Sequence, residues 1–203
     1  MYNQSLANIF KECKTDKFHH GYYNVYDRFF SPLKFNELKL LEIGVREGYS
    51  HLAWQKYFPN GKIYGIENFA SPVFGKKNHK YFLENIEIFI GDQEDVSFLQ
   101  NLPIKEYDII IDDGGHRMSQ QQISLGFLIK YLKPGGFYVI EDLHTSKMKQ
   151  YWDDDDHKKT TLYVLKNLVK SPYVCNDDWE YLKSRIDSIN FFENDKVCVL
   201  KSK

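Results

Sequence analysis

The stretch Leu40-Leu41-Glu42-Ile43-Gly44-Val45-Arg46-Glu47-Gly48-Tyr49-Ser50 decides the fold of this chain. An apolar run ends in a carboxylate, continues into a glycine-containing turn and leads into an amphipathic segment, 51–57, with Ser50 as the predicted helix cap. This order is typical of a buried parallel strand followed by a helix, with small residues where a ligand approaches the backbone. Alone, the pattern indicates only a binding site for a nucleoside-bearing molecule.

Strand and helix patterns alternate along the rest of the chain. The predicted parallel strands are 39–43, 62–67, 86–91, 107–112 and 137–141, and two apolar runs, 186–192 and 196–200, form a terminal hairpin. Helices are predicted at 6–13, 51–57, 120–132 and 160–169, and a further one contains Val25, Phe29 and Phe30 and ends at Pro32. The helix 120–132 is expected to stop at Lys133-Pro134-Gly135-Gly136, and short helical or irregular segments are expected from 72 to 83 and from residue 96. We therefore predict one α/β domain, 1–203: a doubly wound, mostly parallel seven-stranded Rossmann-like sheet with an N-terminal helical cap (1–36) and a C-terminal antiparallel hairpin.

Composition excludes several classes of protein. The 27 basic and 28 acidic residues nearly cancel, giving a formal net charge of -1, which argues against a reader of the nucleic-acid backbone. Three cysteines lie far apart and form no disulfide or zinc pattern, so a reducing compartment is expected. No apolar segment resembles a signal sequence or a membrane span. The sequence therefore predicts a cytoplasmic protein without a membrane span.

Polar residues follow each predicted parallel strand, where open α/β sheets bind ligands. Gly44 and Gly48 allow close approach of a ligand to the backbone, Glu67 can accept hydrogen bonds from ribose hydroxyls, and Asp92 can accept one from an adenine amino group. Each residue alone also fits a simpler role, as a turn glycine or a solvated loop acid. Their coincidence at successive strand ends favours a nucleoside site.

The glycine turn indicates which nucleoside ligand is preferred. A dinucleotide site usually carries Gly-x-Gly-x-x-Gly, but the corresponding positions here are Gly44, Arg46 and Tyr49. Glu42 also places negative charge beside the turn, which repels a pyrophosphate and suits a cationic ligand. S-adenosylmethionine (SAM), with its ammonium and sulfonium groups, is therefore preferred, and a nicotinamide-dependent oxidoreductase stays as the alternative.

A second set of acids follows the fourth and fifth strands, in Asp112-Asp113-Gly114-Gly115-His116 and Glu141-Asp142-Leu143-His144. Neighbouring strands bring these groups together, and clustered carboxylates favour a hard cation such as Mg²⁺. His116 can then accept a proton from a metal-bound hydroxyl. The same residues also fit plain turn and loop caps. The four aspartates Asp153–Asp156 are interpreted as the solvated start of a helix in preference to a metal site.

At this point the motifs resemble those of class I SAM-dependent methyltransferases, in particular the metal-dependent sugar O-methyltransferases related to the mycinamicin macrolide enzyme. The matching motifs lie between Thr15 and Leu143: Thr-Asp-Lys-x-x-His-x-Tyr, Leu-Glu-Ile-Gly-Val-x-x-Gly-x-Ser, Tyr-Phe-Pro-Asn-x-x-Ile-Tyr-Gly-Ile, Ile-Asp-Asp-Gly-x-His and Leu-Lys-Pro-Gly-Gly-x-Tyr-Val-Ile-Glu-Asp-Leu. The sequence departs from the family pattern in having Glu67 where Asp is commoner and Arg46 at a usual glycine position. It is also shorter than the macrolide enzyme and is expected to lack that enzyme's additional N-terminal domain.

The resemblance implies a SAM-dependent O-methyltransferase acting on a sugar hydroxyl, in a surface (capsule) polysaccharide or a natural product, free or nucleotide-linked. It implies His116 as the general base, and the segment 15–22 folded over the site with His20 or Tyr22 near SAM. Metal-free methylation of another small molecule and a non-catalytic SAM-binding module remain as alternatives, and assembly into a homo-oligomer is left open. The predicted cofactor-binding residues are Glu42, Gly44, Gly48, Ser50, Glu67, Asp92, Gln93 and Asp112, and the predicted Mg²⁺ ligands are Asp113, Glu141 and Asp142.

Overall fold

A seven-stranded sheet forms the centre of the molecule. A computed structural model describes residues 4–68 and 86–203. The strands are β1 (Lys39–Ile43), β2 (Lys62–Glu67), β3 (Ile86–Ile90), β4 (Tyr107–Asp112), β5 (Leu132–Ile140), β6 (Ile186–Phe192) and β7 (Val197–Ser202). Their spatial order is β3-β2-β1-β4-β5-β7-β6, with parallel pairing from β3 to β5 and antiparallel pairing of β7 with both β5 and β6. The predicted doubly wound sheet and terminal hairpin are confirmed.

Helices cover both faces of the sheet. The α-helices are α1 (Leu6–Cys13), α2 (Tyr23–Phe30), α3 (Tyr49–Tyr57), α4 (Val96–Gln100), α5 (Met118–Leu128), α6 (Thr161–Asn167) and α7 (Asn176–Arg185). Short 3₁₀ helices occur at Asp16–Phe18, Ser31–Leu33, Ile129–Tyr131, Leu143–Lys147, Lys149–Tyr151 and His157–Lys159. Within the described ranges, no helix is long and apolar enough to cross a membrane.

Several predicted boundaries differ from the structure. β5 begins at Leu132, which pairs with Tyr107, and runs through the Lys-Pro-Gly-Gly segment that was expected to be a helix stop. Helix α7 was not predicted, because its sequence has little amphipathic periodicity. The ambiguous segment 72–83 lies outside the described residues.

The alternation of side chains along the strands divides the interior into two cores. Leu41 and Ile110 belong to a core that also contains residues of α5 and α7. Leu40 and Ile109 belong to the opposite core, packed against α1, α2 and α3. Because successive strand residues point to opposite faces, Glu42 shares the face of Leu40. This places the Glu42 carboxylate beneath the N-terminal helices, where it is fully buried.

Candidate active site

A cavity of about 570 Å³ opens at the carboxyl ends of β1, β2 and β4. Its floor includes the Gly44 turn, where φ is +90° and an added Cβ would lie 2.2 Å from the backbone oxygen of Asp113. Only glycine fits there, so the turn after β1 packs directly against the loop after β4. The predicted site residues that line the cavity are Gly44, Ser50, Glu67, Asp92, Gln93, Asp113, His116 and Asp142.

Glu42 lies below this cavity and is not among its lining residues in the described part of the chain. Its Oε2 accepts hydrogen bonds from the Ser50 hydroxyl (2.9 Å) and the Trp54 indole (3.1 Å). Its Oε1 lies 3.1 Å from the Lys17 ammonium. Glu42 thus anchors helix α3 and the N-terminal segment, and its carboxylate is fully buried.

Lys17 is the centre of what we call the inner group, formed by the carboxylates of Glu42, Asp113 and Glu141. The Lys17 side chain is only 1% exposed, its ammonium lies 2.7 Å from Glu141 Oε1, and it pairs with Asp113 Oδ2. Glu141 Oε1 also accepts a hydrogen bond from the Tyr26 hydroxyl. A cation supplied by the protein therefore offsets part of the negative charge of these three acids.

The inner group has strongly shifted pKa values. Burial lowers the pKa of Lys17, but the adjacent charges of Asp113, Glu141 and Glu42 outweigh it, so that pKa lies well above its usual value. Burial, followed by the charge of Asp113, raises the pKa of Glu141 well above its usual value, with Lys17 opposing the rise. Burial likewise raises the pKa of Asp113, against the lowering effect of Lys17. Lys17 consequently stays charged at neutral pH.

What we call the outer group consists of Asp113, His116 and Asp142, whose ligand atoms lie close enough to hold one metal ion. His116 Nε2 lies 3.9 Å from Asp113 Oδ1 and 3.8 Å from Asp142 Oδ2. These three side chains are 21–24% exposed and face the cavity. The buried Nδ1 of His116 has no hydrogen-bond partner among the described residues.

The loops that carry the outer group have unusual backbone conformations. His116 has φ of +61° and Asp142 has φ of +50°, in the left-handed region that side chains other than glycine rarely adopt. Such conformations cost about 1–3 kcal/mol each and cluster at functional sites. The two side chains therefore reach the cavity at some cost in local backbone stability.

The three predicted metal ligands are divided between the two groups. Asp113 belongs to both, Asp142 to the outer group and Glu141 to the inner group. Asp142 Oδ1 accepts a hydrogen bond from the Tyr22 hydroxyl at 2.6 Å, and the His20 and His144 imidazoles each approach it to 3.9 Å. The predicted ligands thus lie around one region of the site, with Asp113 between Glu141 and Asp142.

Asp112 is fully buried and supports the site from behind. Its carboxylate accepts hydrogen bonds from Ser124 (2.5 Å) on α5 and from the Gln93 amide (3.1 Å). Gln93 Oε1 in turn accepts one from the Gly115 amide at 2.9 Å. Asp112 therefore positions Gln93, which lines the cavity, and the loop that leads to His116.

Glu67 lines the cavity at the end of β2, as predicted. Its Oε2 accepts hydrogen bonds from the amides of Val45 (3.0 Å) and Arg46 (2.7 Å), so the carboxylate fixes the glycine turn. Asp92 is exposed at the rim and accepts a hydrogen bond from the Glu94 amide at 2.9 Å. Both acids line the cavity, and their binding to a nucleoside stays a prediction.

Helix α3 starts differently from the prediction. It begins at Tyr49, with Gly48 as its N-cap in the left-handed conformation and without a side-chain cap. The prediction that Ser50 caps this helix is wrong, because the Ser50 hydroxyl donates to Glu42 instead. Gly48 acts through backbone conformation and is not among the cavity-lining residues in the described ranges.

Lys17 and Tyr26 are the site residues that sequence reasoning missed. Lys17 belongs to the Thr-Asp-Lys-x-x-His-x-Tyr motif, but a lone lysine in a polar segment gives no sign that it is buried. Tyr26 lies in an aromatic-rich helix where its hydroxyl cannot be told apart from others in sequence. Lys14, Thr15 and Asp16 line the cavity, consistent with the prediction that this segment lies against the site.

Comparison with known proteins identifies the domain. Residues 41–143 match a family model described as a methyltransferase domain. Over 183 residues the chain is 34% identical to mycinamicin VI 2''-O-methyltransferase of Micromonospora griseorubida, covering 81% of this chain and 43% of that protein. Over 159 residues it is 35% identical to demethylmacrocin O-methyltransferase of Streptomyces fradiae, covering 72% of this chain and 38% of that protein. The chain thus spans well under half the length of these curated relatives.

A solved structure agrees with the sequence match. MycE methyltransferase from the mycinamycin biosynthetic pathway, in complex with Mg, SAH and mycinamycin VI, superimposes with a TM-score of 0.80 at 27% identity. The alignment covers 98% of this chain and 55% of MycE. A second MycE structure, in complex with Mg and SAH, gives a TM-score of 0.80 at 28% identity. The resemblance predicted from the motifs is confirmed, and the chain belongs to the methyltransferase domain family.

Proposed function

We propose that this chain is a SAM- and Mg²⁺-dependent O-methyltransferase that acts on a sugar hydroxyl. The observation that carries the proposal is that the outer group opens into the same cavity as the Gly44 turn and Glu67. The relatives named above are O-methyltransferases, a further relative from Streptomyces olivaceus is named 8-demethyl-8-alpha-L-rhamnosyl tetracenomycin-C 2'-O-methyltransferase, and MycE was solved with Mg and SAH. A natural-product or surface-polysaccharide sugar, free or nucleotide-linked, is the acceptor class that we propose.

The residues present fit both SAM and Mg²⁺. The Gly44 turn leaves room for a ligand close to the backbone, and Glu67 and Asp92 lie at the ends of neighbouring strands. Asp113 and Asp142 would supply the oxygen ligands that Mg²⁺ prefers, with Glu141 adjoining Asp113. When bound, SAM supplies an electrophilic methyl group and Mg²⁺ makes a coordinated hydroxyl more acidic.

His116 is the proposed general base. Its Nε2 faces the carboxylates of Asp113 and Asp142 at 3.9 and 3.8 Å, at the place where an acceptor hydroxyl would meet both the base and the metal ligands. The protein's contribution is to hold this hydroxyl in line with the donor and to accept its proton. The carboxylates also stabilise the imidazolium that forms when His116 takes that proton.

The proposal is tested by titrating the purified chain with SAM and then assaying SAH release with Mg²⁺ and a panel of free, nucleotide-linked and glycosidic sugars. We expect SAM binding, acceptor-dependent SAH release, and loss of turnover with EDTA that added Mg²⁺ reverses. A folded chain that fails to bind SAM would contradict the whole proposal. Turnover that is insensitive to EDTA would contradict only its metal part.

A further inference from the structure

The three predicted metal ligands all accept hydrogen bonds or ion pairs from one short part of the chain, residues 17–26. The Tyr22 hydroxyl donates to Asp142 Oδ1 at 2.6 Å, and the Tyr26 hydroxyl donates to Glu141. The Lys17 ammonium contacts both Glu141 and Asp113. The carboxylates follow β4 and β5, whereas Lys17 lies in the 3₁₀ helix Asp16–Phe18, Tyr22 is the N-cap residue of α2, and Tyr26 lies within α2.

In Asp113 and Asp142, the donor from the N-terminal segment contacts one carboxylate oxygen, and the other oxygen faces His116. In Asp142, Oδ1 is held by Tyr22 and Oδ2 lies 3.8 Å from His116 Nε2. In Asp113, Oδ2 is held by Lys17 and Oδ1 lies 3.9 Å from the same nitrogen. The donors of the N-terminal segment therefore determine which oxygen of Asp113 and of Asp142 faces His116.

The donors themselves are buried and closely packed. Lys17, Tyr22 and Tyr26 are each 1% exposed. The Tyr26 ring packs edge-on against Trp54, with ring centroids 5.0 Å apart, and against Phe10 at 6.3 Å. A donor locked in this way can impose an orientation on the carboxylate that it contacts.

We propose that Lys17, Tyr22 and Tyr26 are positioning residues that orient the carboxylates of the metal site, which makes the N-terminal segment part of that site and not only a cover over it. The proposal rests on the metal part of the proposed function. Groups that hold metal ligands in place typically contribute 10- to 100-fold to metal affinity. Tyr22 and Tyr26 lie outside the lining of the cavity as far as the structure describes it, so their hydroxyls should not affect SAH binding.

The test uses Tyr22→Phe and Tyr26→Phe, which remove one hydroxyl each and retain the ring. Mn²⁺ binding to the SAH complex is measured by isothermal titration and by electron paramagnetic resonance, with SAH affinity and melting temperature measured in parallel. We expect Mn²⁺ affinity to fall about 10- to 100-fold in each variant, with unchanged SAH affinity. No turnover is needed for this readout.

Tyr57→Phe is the matched control. Tyr57 is also 1% exposed and also donates to a carboxylate, Asp27 Oδ1, at 2.7 Å, between α3 and α2. We expect this variant to retain wild-type Mn²⁺ affinity. Wild-type Mn²⁺ affinity in Tyr22→Phe and Tyr26→Phe, or an equal loss in Tyr57→Phe, would overturn the positioning role alone. Failure of the wild-type SAH complex to bind Mn²⁺ would overturn the metal site and this proposal together.

Discussion

The inner and outer groups share Asp113 but balance their charge in different ways. In the inner group, Glu42 and Glu141 are 0% and 2% exposed, and the buried ammonium of Lys17 contacts both. In the outer group, His116 and Asp142 are 21% and 22% exposed and face the cavity. The protein partly compensates the buried acids with its own cation, and it leaves the partly exposed acids open to the cavity.

This difference separates stability from chemistry within one cluster of acids. Buried carboxylates without a cation would be costly, so Lys17 should stabilise the folded state through the inner group. The outer group keeps contact with solvent and has backbone conformations that are unfavourable unless the surrounding structure imposes them. Variants in the two groups should therefore fail in different ways.

The largest effect is expected for His116→Ala, which removes the proposed base from the outer group. Methyl transfer should slow by roughly two to four orders of magnitude. The melting temperature should change little, because the His116 side chain is 21% exposed and its Nδ1 has no partner among the described residues. SAH-release kinetics with saturating SAM and Mg²⁺, together with a melting curve, check both parts. A rate within tenfold of wild type would refute the base role.

Lys17→Met should have the opposite signature, a loss of stability. Removing one partner of a buried ion pair typically costs about 3–5 kcal/mol, because the remaining charges stay buried without compensation. Urea unfolding measures the loss. The control is Lys149→Met, which breaks an ion pair with Asp155 whose partners are 72% and 79% exposed and should cost less than about 1 kcal/mol. Equal stabilities of the two variants would contradict the assigned role of Lys17.

The sequence predicted the fold well because its strongest signals are local. The run Ile109-Ile110-Ile111, fully buried on both faces, identified β4 as a central parallel strand. β5 was predicted too short because its first half contains Pro134, Gly135 and Gly136, which usually interrupt regular structure. Pairing of Leu132 with Tyr107 of β4 overrides that preference, and such pairing is not encoded locally.

The candidate site was predicted less completely, because the strand-end acids were grouped by the strands that they follow and not by the face of the sheet to which they point. Side chains alternate between the two faces of a strand, so Glu42 and Glu141 point towards the N-terminal helices, whereas Asp112 points towards α5. The partner that balances the first two, Lys17, is far from them in sequence. Its role depends on how the N-terminal segment packs, which sequence periodicity does not specify.

The four aspartates Asp153–Asp156 also differ in how far the protein buries them. Asp153 accepts hydrogen bonds from the Ser119 amide (2.7 Å) and the Arg117 guanidinium (2.8 Å), at the start of α5 and next to His116. Asp156 caps the 3₁₀ helix His157–Lys159 by accepting a hydrogen bond from the Lys158 amide, so the predicted helix-start role holds at Asp156, whereas α6 starts at Thr161 with Thr160 as its cap. Like the acids of the inner group, Asp153 is bound by donors of the protein itself.

Asp153→Ala should therefore lower the free energy of unfolding by about 1 kcal/mol, the usual contribution of a helix N-terminal cap. Methyl transfer should also weaken, because the loop that presents His116 loses its anchor. Asp155→Ala is the control, since its partner Lys149 is a surface lysine and the pair is exposed. Chemical denaturation measures the free energy of unfolding of both variants, and a kinetic assay of SAH release measures their methyl transfer. Indistinguishable variants would show that Asp153 is only another surface charge.

The smallest effect on stability is expected at Asp195, which pairs with two lysines and belongs to neither the inner nor the outer group. Hydrogen bonds from Lys166 and Lys147 lower its pKa below the usual value. A depressed folded-state pKa stabilises the protein above the unfolded value of about 3.9 and loses that effect as the pH falls through the folded value. Asp195→Asn suits the test, because asparagine tolerates the left-handed backbone found there, with φ of +67°. Thermal unfolding from pH 3 to pH 7 should show a deficit below about 1 kcal/mol near neutrality that shrinks as the pH falls below about 4. A deficit in stability that does not depend on pH would mean that the negative charge of Asp195 is not what stabilises its contacts with the two lysines.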